Sequence, residues 1–96
     1  MASSKEYRDF ILDQLESLKE VTCKPMMGEY LLYYRGVLIG GIYDDRFLVK
    51  KTKSNIKYNL EDVVPYPNAK SMFYIKDIDN IEHMNSIIMN VYKDLK

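Results

Sequence analysis

Cys23 and His83 are the two side chains best suited to nucleophilic or acid–base catalysis, and each is the only residue of its type in the chain. A catalytic cysteine or histidine needs a neighbour that activates or orients it. No Cys-x-x-Cys pair or family-specific catalytic signature surrounds Cys23, and no motif supplies a nucleophile or an orienting carboxylate beside His83. We therefore expect a strand residue at Cys23, a solvated residue in the first helical turn at His83, and a protein that is not an enzyme.

Three carboxylates, those of Glu29, Asp44 and Asp45, form the candidate set for a metal or a small ligand. Asp44 and Asp45 are adjacent in a predicted turn, where carboxylates more often accept backbone hydrogen bonds than bind a cation. Glu29 joins them only if the fold brings it there. A single cysteine allows neither an intrachain disulfide nor a thiolate cluster within one chain. We expect no metal and no cofactor, and we keep a small-ligand site at these carboxylates as an alternative.

The glycines match neither a dinucleotide-binding fingerprint nor a phosphate-binding P-loop. Gly40-Gly41 lies inside a predicted strand, which indicates a β-bulge or a close approach of another backbone or an aromatic ring.

Lys50, Lys51, Lys53 and Lys57 follow a tyrosine-rich segment. Such lysines could contact phosphates while tyrosine rings stack on bases, as in proteins that bind single strands. The whole chain, however, balances 14 Lys and Arg against 14 Asp and Glu, and it lacks the broad basic surface that nucleic-acid binding normally requires. Nucleic-acid binding through Lys50 to Lys57 is therefore an alternative rather than the leading hypothesis.

The composition, 47% hydrophobic and 29% charged over 96 residues, is typical of one globular domain with one core, which we assign to residues 1–96. Residues 1–6 lack the apolar stretch of a signal peptide. No apolar run approaches the roughly 20 residues that a membrane-spanning helix requires. We expect a cytoplasmic protein that does not enter the membrane.

The pattern of apolar residues predicts two helices that flank an antiparallel meander of about four to five strands. A capping box from Ser3 to Glu6 starts the first helix, over residues 4–20, and a second box from Asp79 to Glu82 starts the C-terminal helix. The predicted class is α+β, with the C-terminal helix packed on the sheet. The predicted strands are 29–34, 37–43, 46–50, 71–75 and a short one at 22–26, with a long loop at 51–70 that contains a helical turn near 54–59.

Two-residue turns at Arg35-Gly36 and Asp44-Asp45 assign the strand residues to two apolar faces. Either the second face is covered by a partner or a second copy, or its tyrosines turn their rings inward and their hydroxyls to water. Aromatic residues and arginine dominate binding hot spots. The candidate interaction surface is therefore Tyr30, Tyr34, Tyr43 and Arg46, which share one predicted face with Leu32, Val37, Ile39, Leu48 and Lys50; the other face carries Leu31, Tyr33, Leu38, Ile42, Phe47 and Val49.

The segment from Lys24 to Lys50 resembles the N-terminal domain of the TfoX (Sxy) family, which is named for regulators of bacterial competence genes. The shared pattern is a basic residue before Met, a Gly-x-Tyr segment, a Tyr-x-x-Gly turn, and a strand that ends in Asp-Asp before a closing lysine. The flanking helices extend the likeness over essentially the whole chain. The matching positions are Lys24, Met26, Gly28, Tyr30, Tyr33, Gly36, Ile42, Asp44, Asp45 and Lys50.

The resemblance implies an α+β domain that acts in transcriptional regulation without catalytic residues. The implied partners are proteins, such as the transcription machinery or the cyclic-AMP receptor protein. Full-length regulators of this family carry a second, C-terminal domain, and this chain ends after the second helix. We therefore expect a stand-alone N-terminal domain that binds proteins, with self-association into a homodimer as a further hypothesis.

Overall fold

Two α-helices pack on one face of a six-stranded antiparallel sheet in the computed structural model, which describes residues 3–96. The elements are α1 Lys5–Gln14, β1 Val21–Met26, β2 Glu29–Tyr34, β3 Val37–Ile42, β4 Phe47–Val49, a 3₁₀ helix Lys53–Tyr58, β5 Glu61–Val63, β6 Met72–Tyr74 and α2 Ile81–Leu95. The strand order is β1-β2-β3-β4-β6-β5. The predicted α+β class is confirmed, with six strands instead of four to five.

Two-residue turns connect the first four strands. Both central residues of each turn have positive φ, with values of 49° and 86° at Met27-Gly28, 50° and 80° at Arg35-Gly36, and 53° and 55° at Asp44-Asp45. Positive φ at both positions characterises type I′ turns, whose twist matches that of the strands they join. The predicted turns at Arg35-Gly36 and Asp44-Asp45 are confirmed.

A β-bulge in β3 changes the faces that two-residue periodicity predicts. Tyr33 pairs with Leu38, whereas Leu32 pairs with Gly40, so Ile39 is an extra residue on β3. A one-residue shift turns every later side chain to the opposite face of the sheet. The bulge therefore lies at Ile39, directly before the Gly40-Gly41 pair at which it was expected, and the predicted faces are wrong beyond it. The expected close approach of another backbone and an aromatic ring is found at Gly40 and Gly41 themselves.

The start and end of α1 differ from the prediction. Ser4, not Ser3, is the N-cap, and its side chain accepts the N–H of Tyr7 at 3.1 Å. The Ser3 hydroxyl instead donates to Glu29 Oε1 at 2.6 Å, which removes it from the predicted capping box. The helix ends at Gln14 because tighter i→i+3 hydrogen bonds follow, such as that from the N–H of Leu18 to the carbonyl of Leu15 at 2.9 Å.

The region predicted as a long loop contains both the 3₁₀ helix and β5. The predicted helical turn near 54–59 is thus confirmed, and the edge strand β5 was missed. The N-cap of α2 is Asn80, whose side chain accepts the N–H of His83 at 3.1 Å, so the predicted cap at Asp79 is displaced by one residue.

The hydrophobic core lies between the helices and one face of the sheet. Each fully buried aliphatic side chain of this core contributes about 1.5–3 kcal/mol to folding. Among residues 3–96, no helix is long and apolar enough to cross a membrane. The fully buried core side chains include Ile11 of α1 and its C-cap Leu15, Leu32, Ile39, Ile42, Phe47 and Val49 of the sheet, and Met84, Ile87, Ile88 and Val91 of α2.

Candidate binding groove

An open groove of about 860 Å³ lies on the sheet face opposite the two helices. Its apolar floor comes from side chains on β1, β2, β3 and β6, because alternate residues of these strands point away from the core. The segment 64–71, which joins β5 to β6, forms one wall. The lining residues are Met26, Leu31, Leu38, Gly40, Tyr43, Lys50, Lys51, Pro65, Tyr66, Ala69, Lys70, Ser71 and Met72.

The ring of Tyr43 lies on this helix-free face, and a glycine makes room for it. A Cβ atom built on Gly41 would lie 2.8 Å from Cε2 of Tyr43, closer than real side chains come. Tyr66 packs against Tyr43 with ring centroids 6.1 Å apart, and it remains 53% exposed. Burial, then the nearby Tyr66 phenol and the Glu29 carboxylate, raise the pKa of the Tyr43 hydroxyl. Tyr43 therefore stays neutral and links the groove floor to the wall.

Lys50 and Lys51 are placed at the groove by a buried amide. Asn55 is fully buried; its Nδ2 donates to the carbonyl of Lys50 at 2.7 Å, and its Oδ1 accepts the N–H of Thr52 at 2.9 Å. These bonds hold the chain as it leaves β4. Lys51 forms an ion pair with Asp62 on β5. The third lysine of the groove, Lys70, comes from the wall.

The four residues predicted as one interaction surface lie on both sides of the sheet. Tyr30 and Tyr34 are only 8% and 4% exposed and face the helices; Arg8 of α1 lies over the ring of Tyr30 at 5.1 Å. The bulge turns Tyr43, 6% exposed, to the opposite face. Arg46 is partly buried, and its Nε donates to the carbonyl of Tyr43 at 3.2 Å. The prediction that these four side chains form one exposed surface is therefore wrong.

Glu29 and Asp45 take part in one hydrogen-bond network around Ser3 and Ser4, and Asp44 joins it through its backbone N–H. The two carboxylate oxygens of Glu29 each lie 3.1 Å from the N–H of Asp44. Asp45 Oδ1 accepts the N–H of Ser4 at 2.7 Å, and the N–H of Asp45 donates to the Ser3 hydroxyl at 3.0 Å. This network ties the start of α1 to the β3–β4 turn. Within residues 3–96, no group of three or more His, Cys, Asp or Glu side chains is arranged to hold a metal ion.

The remaining positions of the sequence motif have structural places. Gly28 and Gly36 occupy the second central position of two hairpin turns. Ile42 is fully buried in the core opposite Tyr30. The remaining motif residues, Lys24, Met26, Tyr33 and Lys50, lie on the helix-free face, as their pairing with groove-side residues or their place in the groove lining indicates.

Cys23, His83 and the outer lysines lie apart from the groove. Burial raises the pKa of the Cys23 thiol, which disfavours the reactive thiolate. The ring of His83 contacts Tyr58 edge-on at 5.3 Å. Lys53 and Lys57 belong to the 3₁₀ helix, which packs against α2, so the lysine cluster predicted from the sequence is divided.

The groove wall was not predicted from the sequence. Tyr66 lies between Pro65 and Pro67, and a tyrosine fixed between two prolines in a polar loop is the signal that could have indicated it. Nothing local indicated that Lys70 would line the same groove as Lys50.

No protein-family model matches the chain. The chain is 34% identical over 80 residues to a protein of Spirochaeta aurantia that is described as an uncharacterized 12.7 kDa protein in the trpE 5′ region. The similarity covers 81% of this chain and 70% of the Spirochaeta protein. The chain therefore belongs to the same family as this uncharacterized protein of Spirochaeta aurantia.

Proposed function

We propose that the chain is a non-enzymatic regulatory domain that binds another protein through the groove on its helix-free face. The resemblance of residues 24–50 to the N-terminal domain of TfoX regulators supports a role in transcriptional regulation. The proposed partner is a component of the transcription machinery or a regulator of the type of the cyclic-AMP receptor protein, and the proposed location is the cytoplasm.

The observation that carries this proposal is the open apolar floor of the groove. Leu31 and Leu38 lie on the helix-free face, and the exposed ring of Tyr66 stands at its side. Exposed apolar surfaces rimmed by polar groups characterise protein-binding sites. The chain covers part of this face with its own segment 64–71 and leaves the rest open, so a partner has a bounded place to bind.

A non-catalytic role is supported by the state of the reactive side chains. The oxygens of Glu29 and Asp45 accept hydrogen bonds from the backbone near the N-terminus and the β3–β4 turn. The raised pKa of Cys23 keeps its thiol neutral. The two carboxylates stabilise the fold through these hydrogen bonds, and neither they nor Cys23 line the groove.

The test is affinity capture from the source cells, followed by binding of the purified partner. The groove variant combines Leu38→Arg with Tyr66→Ala, and the matched control is Ile56→Ser, which changes an apolar side chain that is 64% exposed outside the groove. We expect the wild type and the control to bind a transcription protein that the groove variant loses. Equal binding by all three would contradict the groove as the contact surface. Absence of any protein partner would contradict the proposed function.

Direct nucleic-acid binding is the second candidate, and one observation favours it: Lys50, Lys51 and Lys70 share the groove with the exposed ring of Tyr66. Such binding would weaken steeply as salt rises, because it releases counterions. Fluorescence anisotropy with a labelled single-stranded oligonucleotide at low salt tests it, and an unchanged signal would exclude it.

A further inference from the structure

The charges around the groove are strongly unequal. Three of its lining residues are lysines, and none is Asp or Glu. The chain as a whole is neutral, with 14 basic and 14 acidic side chains, so this one-sided lining reflects local segregation of charge. A site lined by one sign of charge attracts an occupant of the opposite sign.

Two of the three lysines are available to such an occupant. Among residues 3–96, Lys50 and Lys70 form no ion pair, whereas Lys51 is paired with Asp62. Lys24 adds a further exposed cation on the same face, because it pairs directly with the groove residue Leu31. The buried amide of Asn55 fixes the backbone at Lys50, so the point from which this side chain extends is defined.

The floor between these lysines is apolar and adaptable. Met26 and Met72 lie beside Leu31 and Leu38, and the unbranched thioether side chain of methionine adjusts to ligands of different shape. An occupant therefore needs a bulky apolar group as well as negative charge.

The shape of the groove favours a peptide over a small molecule. Pockets for small molecules bury about 70–90% of the surface of their ligand. This groove is partly open to solvent, and residues of the segment 64–71 form part of its lining. An extended segment of a protein fits such a surface, with alternate side chains directed to the floor and the rim.

We propose that the groove binds an acidic linear segment of a partner protein, which places an aromatic or aliphatic side chain on Leu31 and Leu38 and carboxylates near Lys50 and Lys70. This inference rests on the proposed function and adds the chemistry of the partner. The apolar side chain supplies most of the affinity, because it is the part that leaves water. The carboxylates supply selectivity and speed of association.

The test uses a fluorescein-labelled peptide in which Asp and Glu flank a central Leu-Phe pair. Control peptides replace the acids by Asn and Gln, or by Lys. Lys50→Glu with Lys70→Glu is the groove variant, and Lys53→Glu with Lys57→Glu is matched to it in charge but lies on the 3₁₀ helix. Circular dichroism establishes that each variant is folded.

We expect the acidic peptide to bind the wild type and the matched control equally, and to bind the groove variant at least about tenfold more weakly, since reversed charges replace attraction by repulsion. Equal binding of the Asn/Gln peptide would overturn the requirement for acid and leave the proposed function standing. Failure of every peptide, while the purified partner still needs Leu38 and Tyr66, would also overturn only this inference. Displacement of the peptide by a single-stranded oligonucleotide would overturn the inference and assign the groove to nucleic acid. Self-association that Lys50→Glu abolishes would overturn it and assign the groove to a second copy of the chain.

Discussion

The ring of Tyr43 occupies the space that a side chain at Gly41 would need. Both residues lie on β3 or at its end, and the glycine allows the aromatic ring to fold back over the strand. Tyr66 then packs on Tyr43, so one missing Cβ atom positions the groove wall.

The substitution Gly41→Ala should destabilise the protein by about 2 kcal/mol, because the new methyl group overlaps Tyr43 and the carbonyl of Tyr30 in a packed sheet. Gly36→Ala is the comparison: no atom lies within 4 Å of its Cβ position, and only its φ of +80° is strained, which costs about 1 kcal/mol. Urea denaturation measures both. A loss at Gly41 no greater than that at Gly36 would contradict the close packing of Tyr30 and Tyr43 around Gly41.

The substitution Asn55→Ala should cost about 2 kcal/mol, because it leaves the part-buried Lys50 carbonyl and Thr52 N–H without their partner. It should also weaken binding of the acidic peptide, because Lys50 loses its fixed backbone. Asn59 is a suitable control, since its φ is 59° and glycine accepts that conformation. Asn59→Gly should leave stability and peptide binding nearly unchanged, as thermal unfolding and fluorescence anisotropy would show.

The substitution Glu29→Gln should destabilise the fold by about 1 kcal/mol, because a neutral amide accepts the Ser3 hydroxyl and the Asp44 N–H less strongly than a carboxylate. The exposed Glu16 provides the control, and Glu16→Gln should change stability by less than about 0.5 kcal/mol. Chemical denaturation compares the two variants. Equal stability of both would mean that the network between α1 and the β3–β4 turn adds nothing.

Asp94 should make stability depend on pH in the acidic range. Its pKa lies below the usual value, chiefly because its carboxylate accepts the backbone N–H of Ser54 at 2.8 Å. A lowered folded-state pKa stabilises the protein above the unfolded value of about 3.9, and that contribution disappears as pH falls through the folded value. The stability difference between wild type and Asp94→Asn should therefore shrink on acidification below about pH 4. A difference that is constant with pH would contradict this role.

Much of the fold follows from local sequence signals. The strand predicted at 29–34 coincides with β2, because a run of aromatic and aliphatic residues between two turns leaves little choice of limits. The turn at Arg35-Gly36 is likewise local, since glycine accepts the positive φ of its second position. The start of the C-terminal helix was predicted within a residue or two, because a capping residue before an amphipathic pattern is also a local signal.

The candidate site was less predictable, because distant contacts decide it. Ile39 looks like any other strand residue, yet its place as the extra residue of the bulge moves Tyr43 away from the face of Tyr30 and Tyr34. The strand β5 contains Glu61 and Asp62, and no apolar alternation marks it; its pairing with β6 creates it. The groove wall depends on that same pairing.

The strand order has a consequence for how the groove comes into being during folding. The strands β1 to β4 are neighbours in sequence and need only short loops to close, so they can form early. The β5–β6 hairpin must then dock through β6 onto β4. Since the wall, Lys70 and Met72 all arrive with that hairpin, the groove exists only in the docked state. An occupant that contacts both the β1–β4 part of the groove and the β5–β6 hairpin will favour the docked state, because it binds only that state. Its binding should therefore slow the hydrogen exchange of β6.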